Sequence, residues 1–178
     1  MPQRCTTRAF TSVLALIASF GTASAAETDI TIGMQLEPPH LDPTSAAAGA
    51  IDNVVYSNIF EGLTRFMGDG SVVPGLAKSW DISDDGLRYT FHLRGDVQFH
   101  DGTAMDAADV KFSLDRARAE DSTNAQKALF AGIADVAVID PLTVALTLEA
   151  PNGNLLFNLA WGDAVIVAPE TCLLYTSL

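Results

Sequence analysis

Three histidines, a scatter of aspartates and two cysteines are the residues of this 178-residue chain whose types could do chemistry. His40, His92 and His100 form no pair at helical ligand spacing, and no cysteine cluster accompanies them, so zinc has no supporting pattern. Asp81-Ile82-Ser83-Asp84-Asp85-Gly86 has the start of a calcium loop, with glycine in sixth place. The twelfth place, where a bidentate glutamate belongs, holds His92, so the segment reads as a turn. Asp84 and Asp85 are adjacent carboxylates in that exposed turn, where neither is placed for acid catalysis. No glycine-rich phosphate loop follows a strand, and the G-x-S-x-G elbow of serine hydrolases is absent. Trp80 and Trp161 remain. A lone tryptophan is core by default, but Trp161-Gly162-Asp163 lies in an irregular stretch where a ring can stack on a ligand. The chain therefore reads as a scaffold for binding, without a cofactor.

The first segment reads as an address label. Arg4 and Arg8 precede the apolar run Phe10–Phe20, and Ala23-Ser24-Ala25 supplies small residues for cleavage. Residues 1–25 are thus a secretory signal peptide. The run falls short of the about 20 residues needed to span a bilayer. Cys5 lies before the run and no cysteine follows it closely, so a lipid anchor is not expected. Cys172 then has no partner for an internal disulfide. Acidic residues outnumber basic ones 22 to 10, a formal net charge of −12. Losing Arg4 and Arg8 makes it more negative, which disfavours nucleic acid and anionic membrane surfaces.

The elements that position the remaining residues follow from periodicity. Asp29–Gln35 alternates and predicts a strand. Leu36–Pro43 holds three prolines and continues neither sheet nor helix. Ile51, Val55, Ile59 and Leu63 make a helical stripe over Ile51–Leu63. Ser79–Ile82 predicts a short strand, and Leu87–Arg94 alternates strictly, with Tyr89, Phe91 and Leu93 inward and His92 outward. Asp106 is placed to cap a helix running to about Ala119. Gln126–Phe130 predicts a short helix. Asp135–Ile139 and Leu142–Leu148 flank Asp140-Pro141 as a hairpin. Asn154–Ala160 is a short amphipathic helix, and the continuous apolar run Ala164–Ala168 suits a strand buried on both faces.

The order of these motifs carries a resemblance. The residues are Leu41-Asp42-Pro43, Asn58–Leu63, Pro74-Gly75-Leu76-Ala77, Ser79-Trp80, Asp85-Gly86, Tyr89–Arg94, Val97, Phe99–Gly102, Ala108-Asp109-Val110, Phe112-Ser113 and the hairpin Asp140–Glu149. Over about Ile30–Glu170 the chain resembles the N-terminal part of the bacterial extracellular solute-binding proteins of family 5. These are the periplasmic dipeptide-, oligopeptide- and nickel-binding proteins of ABC importers.

The resemblance implies a mixed α/β, two-lobed fold of the periplasmic-binding-protein type II, here truncated to part of the first lobe. Residues 26–66 and 163–170 would belong to that lobe, and 67–162 to an inserted β-rich subdomain. The tail 171–178 does not fit the family and reads as non-native or out of frame. The resemblance also implies a monomeric periplasmic protein, not an enzyme, that binds peptides or related solutes and delivers them to a membrane permease and its ATPase. Cleft-lining residues carried over are Ala47, Ala48 and Gly49 on one loop and Trp161, Gly162 and Asp163 on the return crossing. The rival reading is a secreted hydrolase whose catalytic part lies beyond this chain.

Overall fold

Strict alternation in Arg88–Leu93 puts Tyr89, Phe91 and Leu93 on one side of a strand, and all three are buried. The computed structural model describes residues 30–45, 49–56 and 58–170. Residues 1–25, expected as a signal peptide, and the 171–178 tail lie outside them. In chain order the elements are α1 (Gly49–Val55), β1 (Thr64–Phe66), β2 (Val72–Pro74), β3 (Ala77–Ile82), β4 (Arg88–Leu93), α2 (Ala107–Arg118), β5 (Ile133–Asp140), β6 (Thr143–Leu148) and α3 (Leu155–Asn158). Single 3-10 turns occupy Lys127–Phe130 and Gly162–Ala164.

The four-stranded sheet runs β3-β4-β6-β5 and every pairing is antiparallel. Its register sets Trp80 and Val144 on either side of Phe91, and Leu146 beside Tyr89. Those side chains form one apolar face, which α2 covers with Ala107, Val110, Leu114 and Ala117. Trp80 is partly buried against this core, so the default reading of that tryptophan holds. The β5–β6 hairpin turns at Asp140-Pro141, where Asp140 Oδ1 accepts from the Leu142 amide at 2.8 Å. Gly86 turns the β3–β4 connection with φ +69°, in the left-handed region open to glycine.

The start of α2 is fixed by Asp106. Its carboxylate accepts from the amides of Ala108 and Asp109, and the Asp109 carboxylate accepts from the Asp106 amide at 2.8 Å. This reciprocal cap satisfies donors that a helix start leaves orphaned. Replacing Asp106 with Ala is expected to cost about 1 kcal/mol, read as a lower urea midpoint at an unchanged slope.

Three expectations need correction. Residues 30–34 form no strand, and Ile30, Ile32 and Met34 are exposed. An alternating pattern makes a strand only where a neighbour accepts its backbone hydrogen bonds. The Ile51 stripe stops at Val55: the amides of Asn58, Ile59 and Phe60 all converge on the Val55 carbonyl, which closes the helix. Leu63 is still fully buried, but through the β1–β2 ribbon, while Ile59 is 40% exposed.

The third correction is the run Ala164–Ala168. It is buried as expected for Ala164, Val165, Ile166 and Ala168, yet it is not a strand. Val165 bridges Gly62, the Ile166 amide donates to the Glu61 carbonyl at 2.9 Å, and the Val167 amide donates to Ser113 Oγ at 2.9 Å. The segment is held from one side by the chain before β1 and from the other by α2, so no ladder can extend along it.

Candidate functional site

The return crossing begins where α3 ends. Amides of Leu159, Ala160 and Trp161 close that helix onto the carbonyls of Leu155, Phe157 and Asn158. Trp161 is then extended, and the Ala164 amide returns to the Trp161 carbonyl at 2.9 Å, which makes Gly162–Ala164 a tight turn. Trp161 is 37% exposed. Its ring centroid lies 6.1 Å from Phe66 and 6.0 Å from Phe157. Phe66 in turn stacks on Tyr56 at 6.0 Å and 19°. Four aromatic side chains, drawn from β1, α3, the crossing and the residue after α1, thus form one partly exposed face.

Gly162 is buried against α1. A methyl group there would collide with Asp52 Oδ1, so the absence of a side chain is what lets the Asp52 carboxylate reach the crossing. Asp52 and Tyr56 are one helical turn apart, the Tyr56 amide donating to the Asp52 carbonyl at 3.0 Å. Asp163 follows Gly162 and is only 6% exposed. Burial, and then the charge of Asp52, push its carboxyl up to about 6; burial also raises Asp52. The Asp163 carbonyl accepts from Nδ2 of Asn124 at 2.9 Å, and Asn124 Oδ1 accepts from the Gln126 amide, so this buried amide pins the crossing to the loop after α2.

Asp163 and Asn124 also border a cavity of about 300 Å³ between the end of α2, the loop of residues 119–124 and the crossing. Thr44 closes another side of it. Thr44 is held by Asp42, which accepts from its amide and hydroxyl at 2.9 and 2.7 Å, and by Arg116, whose Nη1 donates to its Oγ1 at 2.8 Å. Arg116 lies 3.9 Å from Asp42. The Leu41-Asp42-Pro43 turn is therefore clamped onto α2, with Thr44 in the wall of the same cavity.

Of the six cleft residues named from the sequence, Ala47 and Ala48 lie outside the described residues. Gly49 is exposed and opens α1, with nothing near the position of a Cβ. Trp161, Gly162 and Asp163 split three ways: toward the aromatic face, against Asp52 and at the cavity. Sequence reading passes over Asp52, Asn124, Tyr56 and Phe66. Only the i, i+4 spacing of Asp52 and Tyr56 is visible in the chain itself, and nothing in it points to residue 162.

The other titratable groups do local work. His92 Nε2 lies 2.8 Å from Asp81 Oδ2 across β3 and β4 at the surface, a pairing worth at most about 1 kcal/mol. Asp85 accepts from Ser83 Oγ and the Leu87 amide, which hold its carboxyl below the usual range, so it serves the turn. Among the described residues no three His, Cys, Asp or Glu side chains are grouped to hold a metal.

The sequence and the fold of this chain match solute-binding proteins. Residues 71–170 match the family described as Bacterial extracellular solute-binding proteins, family 5 Middle. A glutathione-binding protein GsiB of Pectobacterium atrosepticum is 39% identical over 135 residues, which is 76% of this chain and 26% of that relative. The solved structure of AgaA with agropinic acid from A. tumefacien R10 superposes with a TM-score of 0.74 at 33% identity, over 79% of this chain and 28% of that one. The periplasmic binding protein DppA of Helicobacter pylori, in complex with the peptide STSA, gives 0.65 at 28%, over 76% and 30%.

All of these matches are to solute-binding proteins, and they favour the binding reading over the hydrolase one. The chain belongs to the bacterial extracellular solute-binding proteins of family 5. It spans between a quarter and a third of the length of these three relatives.

Proposed function

We propose that the full-length protein is the periplasmic substrate-binding component of an ABC importer, taking up a peptide or a related small solute. The match over residues 71–170 carries this reading. The names of the relatives support it and widen the solute class: glutathione, the peptide STSA and agropinic acid are all small and polar. Residues 1–25 act as a cleaved signal peptide. Residues 26–66 and 163–170 belong to the first lobe, and 67–162 form its inserted β-rich subdomain. Solute is received along the loop Ala47–Gly49 and the crossing Trp161–Asp163, and a second lobe closes over it. The closed state then docks on the permease.

The test uses the full-length protein. Glutathione, tetrapeptides such as STSA and agropinic acid are screened by thermal unfolding. A true solute at 100 times its Kd adds about 2.7 kcal/mol, read as a melting temperature several degrees higher, together with a smaller radius of gyration in solution scattering. No shift with any of these, nor with metal chelates or sugars, would sink the proposal.

A further inference from the structure

β5 stands at the end of the order β3-β4-β6-β5, so among the described residues no strand pairs with it on its far side. The ladder fixes which of its backbone groups face that way. The Leu148 amide donates to the Leu87 carbonyl, so Leu148 turns its backbone toward β4. Antiparallel strands alternate between hydrogen-bonded and non-bonded pairs, so Leu146 and Val144 turn the same way. The Glu149 amide, one residue on, donates instead to the Gly132 carbonyl, just before β5. Ile133, Val136 and Val138 are the partners of Leu148, Leu146 and Val144. Their amides and carbonyls therefore point away from the sheet. The strand reads Ile-Ala-Asp-Val-Ala-Val-Ile-Asp, rich in β-branched residues, with Val138 and Ile139 exposed. An edge of this kind is a template for another strand.

Side chains of α2 occupy that edge. Lys111 Nζ donates to the Val136 carbonyl at 2.8 Å, and Arg118 Nη1 donates to the carbonyls of Ile133 and Ala134 at 3.1 and 3.3 Å. The outward carbonyls of Ile133 and Val136 are thus taken. Asp115 aims both donors: its Oδ2 accepts from Lys111 Nζ at 2.8 Å and its Oδ1 from Arg118 Nε at 2.9 Å. Residues 111, 115 and 118 share one face of the helix. The third outward position, Val138, adjoins a register shift before Asp140, and such an irregularity breaks up regular pairing. A newcomer strand would need the same carbonyls as acceptors. A second copy suits the edge best, because two antiparallel β5 strands would each offer outward amides to the other's outward carbonyls. We propose that Lys111, Asp115 and Arg118 form a guard that closes the outer edge of β5 to strand addition by a second copy of this protein.

The test is sedimentation of the full-length protein from micromolar to near-millimolar concentration. The parent is expected to stay a monomer. Lys111→Ala combined with Arg118→Ala is expected to self-associate at least about tenfold more tightly. It does so despite losing two positive charges from an acidic chain, a change that by itself increases repulsion between copies. Amide exchange of the associated form should show protection gained at residues 133–140. Lys111→Arg combined with Arg118→Lys keeps both donors and should stay a monomer. A role in stability alone predicts an alanine variant that melts lower and remains a monomer, and that result overturns the proposal. Association with protection gained elsewhere overturns it too, as does a parent that already pairs through β5. If the double variant fails to fold, Lys111→Ala alone bares the Val136 carbonyl and is read in the same way.

Discussion

Replacing Asp163 with Asn is expected to stabilise the fold at neutral pH by up to about 3 kcal/mol. The carboxyl is raised from 3.8 to about 6 by burial and by Asp52, and every tenfold gain in its affinity for the proton corresponds to about 1.4 kcal/mol. The sign follows from which state ionises first. Below pH 3.8 the acid is protonated in both folded and unfolded chains, and parent and variant are equally stable on this account. Between 3.8 and 6 the unfolded chain loses its proton while the folded one keeps it, so the parent loses stability as pH rises. Above 6 the cost is fully developed and constant. Asn keeps the shape and carries no charge. Urea denaturation of both proteins at pH 3.5, 5 and 7.5 checks this. A gap that is the same at every pH would show that the carboxylate's charge is not the cause.

The opposite sign is expected for Gly75→Ala, which should cost about 3 kcal/mol, the upper part of the range for overpacking. A Cβ at residue 75 would stand 2.6 Å from the Gly62 carbonyl oxygen and 3.1 Å from that of Leu63. Both are backbone atoms held by the ladder itself: the Gly75 amide donates to Leu63 at 3.1 Å and the Leu76 amide to Gly62 at 3.0 Å. Nothing flexible can move aside. Gly62 is equally enclosed, since its own Cβ would meet the Leu159 carbonyl at 2.7 Å. Glu61 and Gly62 hold Ile166 and Val165, so a displaced ribbon also shifts the crossing that carries Trp161 and Asp163. Gly68→Ala is the control, because its Cβ meets nothing within 4 Å. Equal urea midpoints for the two variants would show that the close approach is not needed.

Most of the sheet is legible in the chain itself. The alternation of Leu87–Arg94, the Asp140-Pro141 turn and the Asp106 cap are local features, in which each residue's neighbours in sequence decide its conformation. The structure only moves their ends, β3 starting at Ala77 and β5 at Ile133. Where an element depends on a distant partner, the same rules mislead. Residues 30–34 alternate as well as β4 does, yet they make no ladder. Ala164–Ala168 is as apolar as a buried strand, yet its hydrogen bonds go to a loop on one side and a helix hydroxyl on the other.

The candidate site shows the same division more sharply. Trp161, Gly162 and Asp163 can be found because they sit together in sequence, within a segment whose motif order identifies the family. Asp52 is remote from Asp163 along the chain and reads there as one polar residue on a helix. By itself the sequence determined the family, the antiparallel core under α2 and the turns that join its strands, because these rest on periodicity, capping and glycine geometry over short stretches. Only the tertiary structure decided that a side-chain-free Gly162 admits the Asp52 carboxylate to the crossing, and that Asp163 is buried beside it with no counter-ion among the described residues. The reason is electrostatic: the ionisation of a carboxylate depends on the solvent it loses and the charges brought near it, and chain folding sets both.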